Sequence, residues 1–140
     1  MQSLDKVIRR FRAADRQLRL ETLLDYARKL PPIPERLAVQ KEQGLARVRE
    51  CQSPVFVWVE LDDDDTFHLY ADAPPEAPTV RGFVSLLIAT LDGRPAAEAR
   101  SAPDDLLDQL GLTEAIGMTR TQGLNAVLWR IKRSAGPAPA

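Results

Sequence analysis

The chain has 140 residues and carries 19 Lys and Arg against 20 Asp and Glu, so its formal net charge is −1. This length fits one domain, and so balanced a charge argues against a protein whose main task is to neutralise nucleic-acid phosphates along a groove. One cysteine and one histidine exclude an intrachain disulfide and most zinc or iron–sulfur ligand sets.

The sequence predicts neither a membrane span nor a secretory signal. The longest apolar stretch, 83–91, is far shorter than the roughly 20 residues that a spanning helix needs. Charged residues occupy the N-terminus where a signal peptide would carry its apolar region. A basic N-terminal helix could lie on a membrane surface or act as a transit segment, but acidic residues are interspersed in it. We therefore expect a cytoplasmic protein with a reduced thiol.

Two amphipathic helices are predicted at the N-terminus. Ser3 is placed to cap the first, and Asp15 the second, because short polar side chains accept hydrogen bonds from the free N–H groups of a first helical turn. Pro31 and Pro32 end the second helix. One further helical turn is predicted from Pro34 to Leu37.

A β-hairpin is predicted in the middle of the chain. Residues 55–61 and 66–71 are rich in β-branched and aromatic residues and flank the polar turn Asp62 to Asp65. Arg47 to Arg49 is predicted as a shorter strand that leads into the hairpin. The four aspartates lack the alternating ligands and the glycine of a calcium loop, which favours a solvated turn.

The rest of the chain is predicted to be helical. The predicted features are a long helix capped by Thr79 and ended by Asp92-Gly93, about one turn in 94–100, a short helix capped by Ser101 and ended by Gly111, a short helical link in 113–118, and a last helix opened by Arg120-Thr121-Gln122-Gly123. The predicted fold is α+β, a small antiparallel sheet with helices packed on one face. It forms a single domain over residues 1–133, followed by a disordered tail, 134–140.

Cys51 is the side chain most able to carry chemistry. It precedes Pro54, which favours a loop or bulge at the mouth of the sheet. If the preceding segment is extended, Arg47, Arg49 and Cys51 point to one side, and the two cations favour the reactive thiolate. The alternative is that Cys51 is a small buried apolar residue.

Two other residues are weaker candidates. The only histidine, His68, lies in the second hairpin strand and is predicted to be a surface or half-buried residue rather than a base for Cys51. Arg120 opens the last helix, where cations are disfavoured, so it either serves something outside its own helix or faces solvent.

The segment Glu50-Cys51-Gln52-Ser53-Pro54-Val55-Phe56 resembles the cysteine motif of the SufE family, the sulfur acceptors of iron–sulfur cluster assembly. Val80-Arg81-Gly82-Phe83 and Arg120-Thr121-Gln122-Gly123-Leu124 continue the resemblance in the same order, which runs from about Leu4 to Arg133. Glu50 stands where the family usually has glycine. The resemblance implies a SufE/IscU-like fold, although an IscU-type scaffold role is disfavoured because one cysteine cannot supply a cluster's ligands.

The resemblance also implies a function. Cys51 would take persulfide sulfur from a SufS-type cysteine desulfurase, stimulate that enzyme, and pass the sulfur to a scaffold such as SufBCD. Pyridoxal phosphate belongs to the desulfurase, and this chain is expected to need no cofactor, to bind no metal and to turn over nothing alone. Gln52, Ser53, Arg120, Arg47 and Arg49 would support the thiol or bind the partner.

We further hypothesise that the free protein buries Cys51 against Val55 and the final helix, and that docking swings the loop outward. Two rival functions remain open. The chain could be a thiol-dependent enzyme in which His68 meets Cys51 across the sheet, or a non-catalytic interaction module whose cysteine is only part of the core.

Overall fold

The computed structural model describes residues 3–136, which form eight helices around a three-stranded sheet. In chain order the elements are α1 (Leu4–Ala13), α2 (Arg16–Arg28), α3 (Glu35–Glu42), β1 (Phe56–Leu61), β2 (Thr66–Asp72), α4 (Pro78–Leu91), β3 (Arg94–Pro95), α5 (Ala96–Arg100), α6 (Leu106–Gln109), α7 (Thr113–Ile116) and α8 (Met118–Ser134). The predicted α+β class with a small antiparallel sheet is confirmed. No helix among these residues is long and apolar enough to span a bilayer.

The first two helices begin where the sequence predicts. The Ser3 hydroxyl accepts a hydrogen bond from the backbone N–H of Lys6, and the Asp15 carboxylate accepts one from Leu18 at 2.8 Å. Both caps satisfy N–H groups that a first helical turn leaves without intrahelical partners. α3 is a longer helix than the single turn that was predicted from Pro34.

The sheet is antiparallel throughout, in the order β1-β2-β3. The predicted hairpin is confirmed, with Phe56 opposite Asp72 at one end of the pair and Leu61 opposite Phe67 at the other. The third strand was predicted as part of a helical turn. Its two residues are too few to show an alternating pattern, and they pair with the start of β2.

The two faces of the sheet contact different helices. Phe67, Leu69 and Ala71 belong to the main core, which also contains the apolar residues of α4. On the other face, Phe56 and Trp58 pack with Leu37 of α3 in a smaller apolar cluster. The structure therefore adds one helix, α3, to the face that was predicted to lack any.

Two predicted helix caps are wrong. Thr79 lies inside α4, because Pro78 occupies its first turn and Ala77 is the cap residue; proline suits that position since its fixed φ and missing N–H cost nothing there. Ser101 caps the C-terminus of α5 instead of the N-terminus of α6. Both errors concern only the residue at which a helix begins, and the predicted helices α4 and α6 are both present.

The first residues of the predicted tail belong to α8 or follow it directly. This helix ends at Ser134, the first residue of the predicted tail, and Ala135 is buried. The Ala135 carbonyl accepts a hydrogen bond from Arg100 of α5. Residues 137–140 of the predicted tail lie outside the described residues.

α2 and α4 make close backbone contact at Gly82. A Cβ atom added to Gly82 would overlap the carbonyl oxygen of Leu23 and lie 2.9 Å from the Leu23 Cγ. Only glycine permits this approach, because the obstructing carbonyl belongs to a helix backbone and cannot rotate away. The adjacent Arg81 donates to the Ala27 carbonyl at 2.9 Å and to the Ala73 carbonyl at 2.6 Å. The Arg81-Gly82 pair therefore joins the two helices to the end of the sheet.

We predict that Gly82→Ala lowers the free energy of unfolding by about 1–3 kcal/mol, the usual cost of overpacking a core. Helix propensity alone gives the opposite sign, since alanine is favoured over glycine by about 1 kcal/mol within a helix. Urea denaturation measures the difference. Asn125→Ala, on an exposed position of α8, is the control and should leave stability unchanged or slightly higher. A stabilised Gly82→Ala variant would contradict the close contact.

Candidate functional site

The candidate site is a short loop, residues 49–54, closed at its base by strand-like hydrogen bonds. The N–H of Val48 donates to the Val55 carbonyl at 2.8 Å, and the N–H of Val57 donates to the Ala46 carbonyl at 3.1 Å. Arg47 forms an isolated antiparallel bridge with Phe56 between these two bonds. The predicted strand at Arg47 to Arg49 is thus limited to one bridged residue on the free edge of β1.

The chain turns immediately after this bridge. Residues 49 and 50 form a turn, and the N–H of Cys51 donates to the Val48 carbonyl at 3.2 Å. The segment is therefore not extended up to Cys51. The predicted alignment of Arg47, Arg49 and Cys51 on one side required an extended segment, so this prediction is wrong. Of the two arginines, Arg47 acts on the charge of the thiol. Arg49 is exposed.

Cys51 is buried against the last helix. Only 7% of its surface is exposed. A Cβ atom added to Gly123 of α8 would lie 3.3 Å from the Cys51 Sγ and 3.5 Å from its Cα. A side chain at position 123 would press on the cysteine, so glycine here allows the loop to lie directly on the helix. The hypothesised burial of Cys51 against the final helix is present in the structure.

Burial raises the pKa of the Cys51 thiol. Two smaller effects lower that pKa: a hydrogen bond from the backbone N–H of Ser53, and the positive charge of Arg47. The effect of burial is the largest, so the protonated thiol is favoured in this conformation. Since the thiolate is the nucleophile, the closed loop holds Cys51 in its less reactive form.

A cavity of about 350 Å³ opens beside the thiol. Three of the predicted site residues, Gln52, Ser53 and Arg120, line it with Cys51, whereas Arg47 and Arg49 do not. The lining is completed by Glu50, Glu76, Ala77, Thr79, Val80, Thr119, Gln122 and Gly123. Glu76 and Thr79 were not predicted as site residues. The only available signal was the position of their segment directly after β2, at the end of the sheet where the cysteine loop lies.

His68 lies far from this cavity. It alternates with the buried Phe67 and Leu69 and points to the other face of the sheet. His68 pairs with Glu60 of β1. Glu60 lies four positions from Phe56, the residue at the end of β1 next to the cysteine loop, and four positions correspond to about 13 Å along a strand. Its Nε2 lies 2.7 Å from Asp62 Oδ2, and this hydrogen bond raises the pKa of His68. The prediction of a half-buried surface histidine is confirmed.

The four aspartates form the hairpin turn that was predicted. The N–H of Asp65 donates to the Asp62 carbonyl at 2.9 Å, and the Asp64 carboxylate accepts from the N–H of Thr66 at 3.2 Å. Within residues 3–136, no three His, Cys, Asp or Glu side chains converge to hold a metal ion.

Comparison with known proteins gives a consistent result over nearly the whole chain. The family model for SufE, described as an Fe-S metabolism associated domain, matches residues 5–135. An uncharacterised SufE-like protein of Mycobacterium tuberculosis is 42% identical over 130 residues, which cover 93% of this chain and 89% of that protein. The sulfur acceptor protein CsdE of Escherichia coli is 29% identical over 106 residues, which cover 75% of this chain and 68% of CsdE.

The fold also matches a solved structure. The solution structure of a hypothetical protein from Thermus thermophilus superposes with a TM-score of 0.79 at 33% sequence identity. The match covers 94% of this chain and 92% of the other.

We predict that Gly123→Ala exposes the thiol. The added methyl group would lie within 3.3 Å of Sγ, so the loop must shift outward, and alkylation of Cys51 by iodoacetamide should become several-fold faster at a fixed pH. Asn125→Ala, on an exposed part of the same helix, is the matched control and should react at the wild-type rate. Equal rates in all three proteins would show that the contact does not hold the loop.

We also predict that the thiol titrates above the pKa of an unfolded cysteine. A raised pKa means less thiolate at any given pH, so the midpoint of the ultraviolet thiolate absorbance should lie higher in the native protein than in urea. The Cys51→Ser protein supplies the background signal.

Arginine variants separate the contributions to this pKa. Arg47→Gln should raise the midpoint further, because Arg47 is the cation that stabilises the thiolate. Arg49→Gln should leave it unchanged.

The raised pKa of Cys51 also makes the stability of the protein depend on pH. The stabilisation that comes from the protonated thiol is complete below the pKa of the unfolded thiol, and it is lost as the pH rises through the pKa of the folded one.

Proposed function

The chain belongs to the SufE family, and from this premise we propose that it is a sulfur carrier whose Cys51 accepts sulfur as a persulfide from a cysteine desulfurase. The observation that carries the proposal is the position of the chain's only cysteine, which is buried on a short loop beside a cavity. A purely structural cysteine needs no such cavity. A carrier needs both a reachable sulfur and protection for its cargo.

The proposed chemistry is an exchange between thiols. The Cys51 thiolate attacks the terminal sulfur of the desulfurase's cysteine persulfide, and a new S–S bond forms on Cys51. The S–S bond of the desulfurase breaks, and its own cysteine leaves as the thiolate, which takes up the proton that Cys51 gave up. The exchange is redox-neutral, so it needs no oxidant or reductant. Pyridoxal phosphate would be the cofactor of the desulfurase and not of this chain.

In the proposed mechanism, the closed loop keeps the free protein unreactive. Burial favours the neutral thiol and also separates a stored persulfide from reductants in solution. Transfer therefore requires the loop to move outward, where water lowers the pKa of the thiol toward its ordinary value. A loop of six residues closed by few hydrogen bonds is the kind of segment that opens at low free energy.

The residues lining the cavity have distinct proposed roles. The N–H of Ser53 stabilises the thiolate, and Gln52 offers a further polar group at the rim. Arg120 is exposed at the mouth, where its cation can attract the partner or a persulfide anion. We propose that the carrier stimulates the desulfurase by removing its persulfide, and that it then delivers the sulfur to a SufBCD-type scaffold in the cytoplasm.

The structure gives less support to the two rival functions. A thiol-dependent enzyme needs a base near its nucleophile, whereas His68 lies on the other face of the sheet and is paired with Asp62. An interaction module with an inert core cysteine would not need the cavity of about 350 Å³ beside the sulfur.

Intact-mass spectrometry after incubation with a SufS-type desulfurase and cysteine tests the proposal. The wild-type protein should gain the mass of one sulfur atom, and treatment with a thiol reductant should remove it. Cys51→Ser should gain nothing. His68→Ala should behave as wild type, since His68 has no part in the proposed transfer. An adduct that survives in Cys51→Ser would end the proposal.

Arg120 should matter for transfer but not for the intrinsic reactivity of the thiol. We expect Arg120→Ala to slow sulfur loading by roughly tenfold, the effect of losing one favourable charge interaction between partners. Its rate of alkylation by iodoacetamide, a neutral reagent, should stay close to wild type. Arg49→Ala is a control with an exposed arginine that does not line the cavity. Equal loading by Arg120→Ala and wild type would remove Arg120 from the site.

A further inference from the structure

One backbone carbonyl at the base of the cysteine loop has no partner within the sheet. Arg47 faces Phe56 between two inter-strand hydrogen bonds, the one from Val48 to Val55 and the one from Val57 to Ala46. In an antiparallel pair, a residue at such a position directs its own N–H and carbonyl away from the neighbouring strand. The Arg47 carbonyl is therefore free to bond with a group outside the sheet.

Arg130 of α8 supplies that group. Its Nη1 donates to the Arg47 carbonyl oxygen at 2.6 Å, across 83 positions of sequence. The bond is short and carries the charge of the guanidinium, which places it among the stronger kinds of protein hydrogen bond. It connects the base of the cysteine loop to a helix that is itself anchored in the core by Leu124, Val127 and Ile131.

The two contacts of the loop with α8 lie on one face of the helix. Gly123 and Arg130 are seven positions apart, which is two turns and about 10 Å along the axis. Cys51 lies on Gly123, and Arg47, four residues earlier in the chain, is bound to Arg130. The segment from Arg47 to Cys51 thus follows one face of α8 and is fixed at both ends.

We propose that Arg130 is a positioning residue that keeps the Cys51 loop closed. Without its guanidinium, the Arg47 carbonyl would lose its partner on α8. The base of the loop would stay bonded to β1 through Val48 and Val57, but it could move away from the helix together with the cysteine. The Gly123 contact alone cannot prevent this, because it is a van der Waals contact without a directional bond. The purpose of the closed state, protection of a persulfide, rests on the proposed function; the restraint on the loop does not.

Alkylation kinetics of Cys51 test the restraint without any partner protein. Arg130→Ala should react with iodoacetamide roughly tenfold faster than wild type, the effect of losing one hydrogen bond to a charged group at a partly exposed site. Arg130→Lys should recover part of the slow rate, because its ammonium group can still donate to the carbonyl. Arg133→Ala is the matched control, since Arg133 lies less than one turn further along α8, over the ring of Trp129. It should react like wild type.

Hydrogen exchange separates a local effect from general destabilisation. In Arg130→Ala, the amides of Val48, Cys51 and Val55 should exchange faster, while those in the centre of α4 should keep wild-type protection. Faster exchange at both places would assign Arg130 a merely structural role, and alkylation no faster than in Arg133→Ala would overturn the proposal.

A persulfide-loaded sample connects the restraint to the proposed function. Loaded Arg130→Ala should lose its sulfur to dithiothreitol several-fold faster than the loaded wild type. If the wild type cannot be loaded at all, the proposed function fails while the alkylation result still decides the role of Arg130. If loading succeeds but alkylation is unchanged in Arg130→Ala, the inference fails and the proposed function stands.

Discussion

The contact between Cys51 and the backbone of Gly123 determines the chemistry of this site. Since glycine has no side chain, α8 can approach the loop so closely that an added Cβ atom would lie 3.3 Å from the sulfur. That approach buries the thiol, and burial is the main reason why its pKa is raised. The same approach brings Arg130 within reach of the Arg47 carbonyl. A bulkier residue at position 123 would weaken all of these effects together.

The loop rests on a platform that is held much more firmly. At Gly82, α2 and α4 are so close that no other residue fits, and Arg81 joins the carbonyls of Ala27 and Ala73. Lys41 pairs with Asp72 at the end of β2, which connects α3 to the same region. A small segment with few bonds on a rigid support is a common arrangement for a group that must both bind and move. In this SufE-family chain, the boundary between the loop and its rigid support lies at the base of the loop, where Val48 is bonded to Val55.

Local signals in the sequence were sufficient for much of the fold but not for the details of the site. The caps at Ser3 and Asp15 and the hairpin depend on residues a few positions apart, and these predictions were confirmed. Thr79 failed as a cap because Pro78 competes for the same turn, and Arg49 failed because the chain turns before Cys51. The closeness of Gly123 to Cys51 and the bond from Arg130 to Arg47 join segments more than 70 positions apart, and no periodicity or motif spacing encodes such contacts. The motif around Cys51 predicts its sulfur as the reactive atom, but it does not predict how α8 holds that sulfur.

The cavity beside Cys51 bears on the proposed storage of a sulfur atom. Its volume of about 350 Å³ corresponds to that of roughly twelve water molecules at about 30 Å³ each, far more than one extra atom needs. Gly123 lies close to one side of the sulfur, so the cavity is the open space that the outer atom of the proposed persulfide could occupy. A loop whose cysteine carries an added sulfur atom could then close against α8 in the same position as a loop without it. Storage and resting states would share one backbone conformation, and a partner would distinguish them by the contents of the pocket.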